Sequence, residues 1–297
     1  MPAIDRSPAQ STQIKGSFRD LLLALVSYPD APPPTAIANA AALAARLGGE
    51  VTALALHVHI DAPRNRLADL LLDFQDLVKS EEARSTASAW ALARSFEDAA
   101  ASAGAPTVIV VQPVELYGEA ERFCAHARGH DLTMMPIGPS VLNDRSIAEA
   151  VIFGSGRPVL LFPESEAVAS AARIETAVVA WDGSRPAARA LADALPLLTS
   201  VSHVRVLSIL DEKPGVEVGT GARMVRHLAL HGIRAVADEV DAKGEKIAHV
   251  MRAYLKAQSA DLLVMGAYGH SRAREFVLGG ATSGMFEDLT LPVLMSH

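Results

Sequence analysis

Three glycines set at fixed intervals carry the strongest chemical signal in the sequence. Gly266-Ala-Tyr-Gly269 is followed by nine residues, His270 to Leu278, and then by Gly279-Gly280-Ala281-Thr282-Ser283. The segment leaves an apolar run, Asp261 to Met265, that reads as a strand, and enters a stretch near Thr282 to Leu289 that reads as a helix. Glycines in such a turn permit positive φ and bring backbone up to a ligand with no Cβ between them. The N–H groups of Gly279 to Thr282, at a helix start, can point at phosphate oxygens. No Walker-type lysine follows, so this cradle differs from a P-loop. Simply turning the chain is the other use of the segment, though a turn does not need three spaced glycines.

The remaining candidates are weaker. Asp182 ends an apolar run and precedes a helical pattern, so it can touch a ligand or cap that helix. Trp181 and Tyr268 flank the same place, where the Trp can stack on a base or pack in the core. His227 and His231, four apart on a helical stretch, share a face, but no Glu or Cys joins them to complete a metal site. His57 and His59 share one face of a strand, where packing beneath a helix is the default. Cys124 lies in a helical stretch with no base placed beside it and reads as a small buried residue. Neither a Gly-x-Ser-x-Gly turn nor a pair of carboxylates spaced for acid–base work is present.

The elements that must position the glycines alternate along the chain. Strands are expected at 18–26, 50–60, 107–111, 131–137 and 157–162. Helices are expected before Gly48-Gly49, as one or two helices over 67–103, at 115–129 and at about 146–153. After a polar, Ala-rich linker at 164–173 the pattern begins again, with strands at 176–181, 203–210, 233–240, 261–265 and 292–295. Between them fall helices at 184–198, 221–232, about 245–258 and about 282–289. Short buried strands alternating with helices predict an α/β fold of two tandem open parallel five-stranded sheets, each with helices on both faces. Domains of 18–163 and 174–297 follow, behind a tail at 1–17. Matching strand ends support duplication: Arg157-Pro-Val-Leu-Leu-Phe162 parallels Leu291-Pro-Val-Leu-Met-Ser296. His130-Asp-Leu-Thr-Met-Met-Pro-Ile-Gly138 likewise parallels Ala260-Asp-Leu-Leu-Val-Met-Gly-Ala-Tyr268.

Composition narrows the function classes. The chain of 297 residues is half hydrophobic and carries 27 basic against 34 acidic side chains, a formal charge of -7. That leaves no basic excess for nucleic acid or an anionic membrane. One cysteine excludes an intrachain disulfide, and no apolar stretch is long enough to span a bilayer, so the expected location is cytoplasmic.

The spacing Gly266-x2-Gly269-x9-Gly279 followed by a small residue resembles the motif of ATP-binding universal stress proteins. Three further segments are similar to that family: Ala177-Val-Val-Ala-Trp-Asp-Gly-Ser184, Asp261-Leu-Leu-Val-Met-Gly266 and the Pro292-Val-Leu294 of the last strand. The resemblance runs over the full chain in tandem. It implies that Ala180 and Asp182 line an adenosine pocket and that Ile209 meets the adenine through its backbone. Met265 and Gly266 would lie against the ribose, and Gly269, Gly279, Gly280, Ala281 and Thr282 would hold the phosphates, with Mg accompanying them. Gly280 stands where many binding members have Ser or Thr, so a hydroxyl contact would fall to Thr282 or Ser283.

The first half departs from the motif, because Ile137-Gly138-Pro139-Ser140 has no second glycine at the required spacing and Pro139 has no N–H to donate. It is expected to be degenerate for nucleotide. The resemblance implies a stress-response binding protein more than an enzyme, with a nucleotide-free adaptor or a slow ATPase as alternatives. It also implies an intramolecular pseudo-dimer through the last strands, 159–162 and 293–295, with a homodimer as a further option and an unknown protein partner.

Overall fold

The computed structural model of the chain describes residues 18–60, 72–138, 142–164, 174–210, 219–267, 284 and 289–297. Its first strand, β1 (Asp20–Val26), is buried from Leu21 to Val26 and feeds both faces of the sheet. Leu21, Leu23 and Leu25 point to one side and Leu22, Ala24 and Val26 to the other, the period of two that a strand imposes. Helix α1 (Pro34–Leu47) begins with a proline and ends at Gly48, whose φ of 78° the missing Cβ allows. Then follow β2 (Glu50–His59), α2 (Leu72–Ala103), β3 (Thr107–Glu115), α3 (Glu119–Ala127), β4 (Leu132–Ile137), α4 (Leu142–Gly154) and β5 (Val159–Pro163).

The second half repeats this order as far as its fourth strand, with β6 (Thr176–Ala180), α5 (Arg185–Leu198), β7 (His203–Leu210), α6 (Thr220–Leu230), β8 (Ala235–Asp241), α7 (Ile247–Ala257) and β9 (Leu262–Gly266), and ends in β10 (Val293–Ser296). Within each half the strands are parallel, in spatial order β3-β2-β1-β4-β5 and, mirrored, β10-β9-β6-β7-β8. One apolar cluster joins the sheet to α1, α2, α5 and α6, and a second joins it to α3, α4 and α7. Helices therefore cover both faces.

Two separate five-stranded sheets were expected; the halves instead share one ten-stranded sheet, because β5 and β10 pair antiparallel. Leu160 lies opposite Leu294, with Val159 opposite Met295 and Leu161 opposite Val293. These are equivalent positions of the repeat, so each strand presents to the other the residues it receives. Pairing covers the edge that each half would otherwise expose.

Other differences are local. The helix expected at 115–129 starts only at Glu119, because β3 runs on to Glu115 and Tyr117 turns the chain with a φ of 69°. Pro113 is tolerated inside β3 since that strand is an edge of the sheet. From residue 72 the long amphipathic stretch is a single helix, and α4 begins at Leu142 rather than near 146. The tail at 1–17, residues 165–173 of the linker, and 282–283 and 285–288 of the last expected helix lie outside the described residues. No helix among the described residues is long and apolar enough to cross a membrane.

Candidate functional site

In each half the first and fourth strands are neighbours whose connections leave in opposite directions, which opens a crevice at their carboxyl ends. In the second half these strands are β6 and β9. Ala180 ends β6 with Asp182 just beyond it, Met265 and Gly266 end β9, and Ile209 lies near the end of β7. Five of the sequence-predicted site residues are thus brought to one edge of the sheet. Gly269, Gly279, Gly280, Ala281 and Thr282, together with Tyr268, lie outside the described residues.

Strand alternation sorts the five further. Ala180, Ile209 and Met265 pack with Met251 and Leu255 of α7. Trp181 packs against the cluster of the opposite face, to which α5 and α6 contribute. Of the two uses open to this Trp, the described packing is the core one. Its Nε1 is buried with no hydrogen-bond partner among the described residues, as are Ser208 Oγ and Thr220 Oγ1.

The turn after β6 is held by side chains. Ser184 N–H donates to Asp182 Oδ1 at 2.9 Å, and Ser184 Oγ accepts from Ala187 N–H at 3.2 Å. The cap of α5 is therefore Ser184, and Asp182 supports the cap from two residues upstream. Gly266 is pressed against this helix start. A Cβ there would sit 2.4 Å from both Ala187 N and Pro186 C. Packing alone thus requires a glycine at the end of β9, and the N-terminus of α5 is brought beside the crevice with its partial positive charge.

The equivalent crevice of the first half has the opposite character. Four residues, 138–141, separate β4 from α4, and Asp144 stands in the first turn of that helix. Burial, with Glu164 and Asp30 adding like charge, pushes the Asp144 carboxyl up from 3.8 to about 7. Burial also raises Glu164. No sequence pattern announces this acidic mouth, since its members are far apart in the chain and meet only where β1, β4 and β5 end.

The other candidates have structural uses. His57 Nδ1 lies 3.3 Å from Thr86 Oγ1, and His59 Nδ1 lies 2.7 Å from Glu82 Oε1, both contacts beneath α2. His227 and His231 meet edge to face at 4.8 Å, and no metal-holding cluster occurs among the described residues. Cys124 is buried and donates to Ala150 O at 3.3 Å, and burial pushes its thiol pKa up, which disfavours the thiolate.

Residues 173–297 match the family model described as the universal stress protein family. The second half is a universal stress protein domain. Nearly the whole chain shares its fold with a universal stress protein from Archaeoglobus fulgidus, at a TM-score of 0.63 and 14% identity over 93% of this chain and 96% of that one. A functionally unknown protein from Pseudomonas aeruginosa is similar at a TM-score of 0.52 and 13% identity, over 94% of this chain and 92% of that one. No curated protein matches the sequence. The first of these likenesses extends the fold of a universal stress protein to the first half.

Proposed function

We propose that this protein acts in the stress response by binding one ATP, with Mg on the phosphates, in the crevice of its second universal stress protein domain. The observation that carries the reading is the convergence of Ala180, Asp182, Ile209, Met265 and Gly266 at the switch point between β6 and β9, where open α/β sheets take ligands. The glycines that would hold the phosphates, Gly269, Gly279 and Gly280, follow directly from β9 in the sequence. In the first domain the acidic mouth opposes the same ligand. A phosphate charge about 8 Å from one carboxylate is repelled by roughly 0.5 to 2 kcal/mol.

Binding rather than turnover is the expected activity, because the residues assembled at the switch point hold and orient but include no evident base for an attacking water. We infer also that the symmetric β5–β10 pairing makes the two halves an internal pseudo-dimer.

Isothermal titration of the full chain with MgATP tests the reading, alongside mass spectrometry of any ligand released on denaturation. One site per chain is expected. Gly279→Val should weaken binding by at least about tenfold, since its Cβ and branches would stand at the closest approach to phosphate. Gly138→Val should leave affinity unchanged. Two sites per chain, or a folded Gly279→Val protein with wild-type affinity, would overturn the assignment.

A further inference from the structure

We infer that His297 is a positioning residue for the nucleotide crevice, and that through it helix α4 of the first half sets the geometry of a site in the second; the inference rests on the ATP reading above. Ala267, fully buried, is the residue at which β9 hands the chain to the glycine-bearing segment. Both of its backbone groups are tied to the end of β10. Ala267 N–H donates to Ser296 O at 2.8 Å, and the Nδ1–H of His297 donates to Ala267 O at 3.0 Å. The imidazole in turn meets the ring of Phe153, near the end of α4, edge to face with centroids 4.7 Å apart. A path of direct contacts therefore runs from α4 of the first half to the root of the candidate phosphate segment.

Comparison of the two halves shows that this contact is not a general requirement of the fold. Ile137 lies opposite Pro163 in the first half, as Ala267 lies beside His297 in the second, and the strand-end repeat aligns Pro163 with His297. Proline has no side-chain donor, so the first half, which lacks the glycine spacing, makes no such bond to its fourth strand. The donor is present only in the half whose fourth strand is followed by the glycine spacing. Losing it frees Ala267 O and removes the ring from Phe153. The strand ladder from Leu263 to Gly266 stays intact. The effect should fall on positioning more than on folding.

The test is titration of the full chain with MgATP at a temperature well below unfolding, for His297→Ala, His297→Gln, Phe153→Ala and the double variant His297→Ala/Phe153→Ala. His297→Ala should weaken ATP by about tenfold, and His297→Gln, which keeps an N–H donor, should recover part of the loss. Phe153→Ala should weaken it less, and the double variant should be no weaker than His297→Ala alone, because the two act in series. Wild-type affinity in His297→Ala, or strictly additive losses, would overturn the inference. Hydrogen exchange over residues 262–267 gives a reading independent of nucleotide, and His297→Ala should accelerate it at Ala267. If the wild type binds no ATP, the nucleotide reading fails. The anchoring role then stands or falls on that exchange, and unchanged protection refutes it.

Discussion

Replacing Gly266 by alanine sets two effects against each other, and the structure says which should win. Alanine restricts the unfolded chain, which by itself favours the fold by about 0.4 to 1 kcal/mol where the native backbone accepts it. Against this, the new Cβ would stand 2.4 Å from Ala187 N, 2.4 Å from Pro186 C and 2.7 Å from Pro186 Cβ, an ångström or more inside ordinary contact. No flexible side chain can swing away, because the nearest atoms are backbone in the first turn of α5. That helix buries Ala187, Ala190, Leu191, Ala194, Leu197 and Leu198 and cannot slide without opening its core. Overpacking of this kind costs about 1 to 3 kcal/mol, and backbone contact puts the site at the upper end. The net loss should be about 2 kcal/mol, lowering the melting temperature of the second half by about 5 to 10 °C. The two tryptophans divide between the halves, Trp90 in α2 and Trp181 after β6, so a Trp90→Phe background makes fluorescence report the second half alone. Gly232→Ala, with a φ of 75° and no neighbour within 4 Å, supplies a control that should cost only about 1 kcal/mol. A Gly266→Ala protein as stable as wild type in urea, or more so, would refute the packing argument.

Asp144 should give the protein a pH dependence opposite to that of a paired carboxylate. Below about pH 3 the group is protonated in both folded and unfolded chains and has no effect. As pH rises towards the folded value of about 7, the unfolded chain ionises first and stability falls, and above 7 the loss is complete. Asp144→Asn should therefore be more stable than wild type by up to about 4 kcal/mol at pH 8 and equal to it at about pH 3, and parallel urea profiles from about pH 3 to 9 would contradict this. Asp261→Ala removes a carboxylate that accepts Glu175 N–H and Thr176 N–H, each at 2.9 Å, and should cost about 1 to 2 kcal/mol in the second-half transition. Asp131→Ala, which loses the same pair of bonds to Arg19 and Asp20, should destabilise the first half instead; one common transition for both variants would refute independent anchoring.

The parallel strands were legible because each is a short apolar run bounded by turn residues, and the duplication because Val159 to Leu161 and Val293 to Met295 look alike. That likeness did not say that the two strands would pair, since a one-dimensional pattern carries neither strand neighbours nor direction. The start of α3 was misread because Val114 to Tyr117 is as compatible with a strand and turn as with a helix. Gly118 directly before Glu119, Ala120 and Glu121 was the available signal for the true start. The strands that end at Ala180, Leu210 and Gly266 were readable from the alternation of apolar runs and helical stretches. The sequence left Asp182 open as cap or ligand contact, and Pro186 at the helix start was the available pointer to Ser184 as the cap. Asp30, Asp144 and Glu164 form no sequence pattern, and only the ends of three separate strands bring them together.

The two crevices show how one backbone plan supports opposite chemistry. In both halves the switch point lies between the first and fourth strands, so topology alone offers a ligand site twice. What differs is the connection after the fourth strand. In the first half four residues carry the chain into α4, and the helix N-terminus, which could otherwise receive an anion, already holds Asp144 in its first turn. There burial and the like charges of Glu164 and Asp30 already hold the Asp144 carboxyl up at about 7, and an incoming phosphate, which adds further like charge, would meet the same opposition. In the second half the glycine-bearing sequence follows β9, α5 presents its N-terminus beside Gly266, and Asp182 is turned to Ser184 in support of that cap. Restoring nucleotide binding to the first half would therefore need more than glycines. Without removal of Asp144 and Glu164, a grafted loop would hold its N–H donors against a field that opposes the ligand.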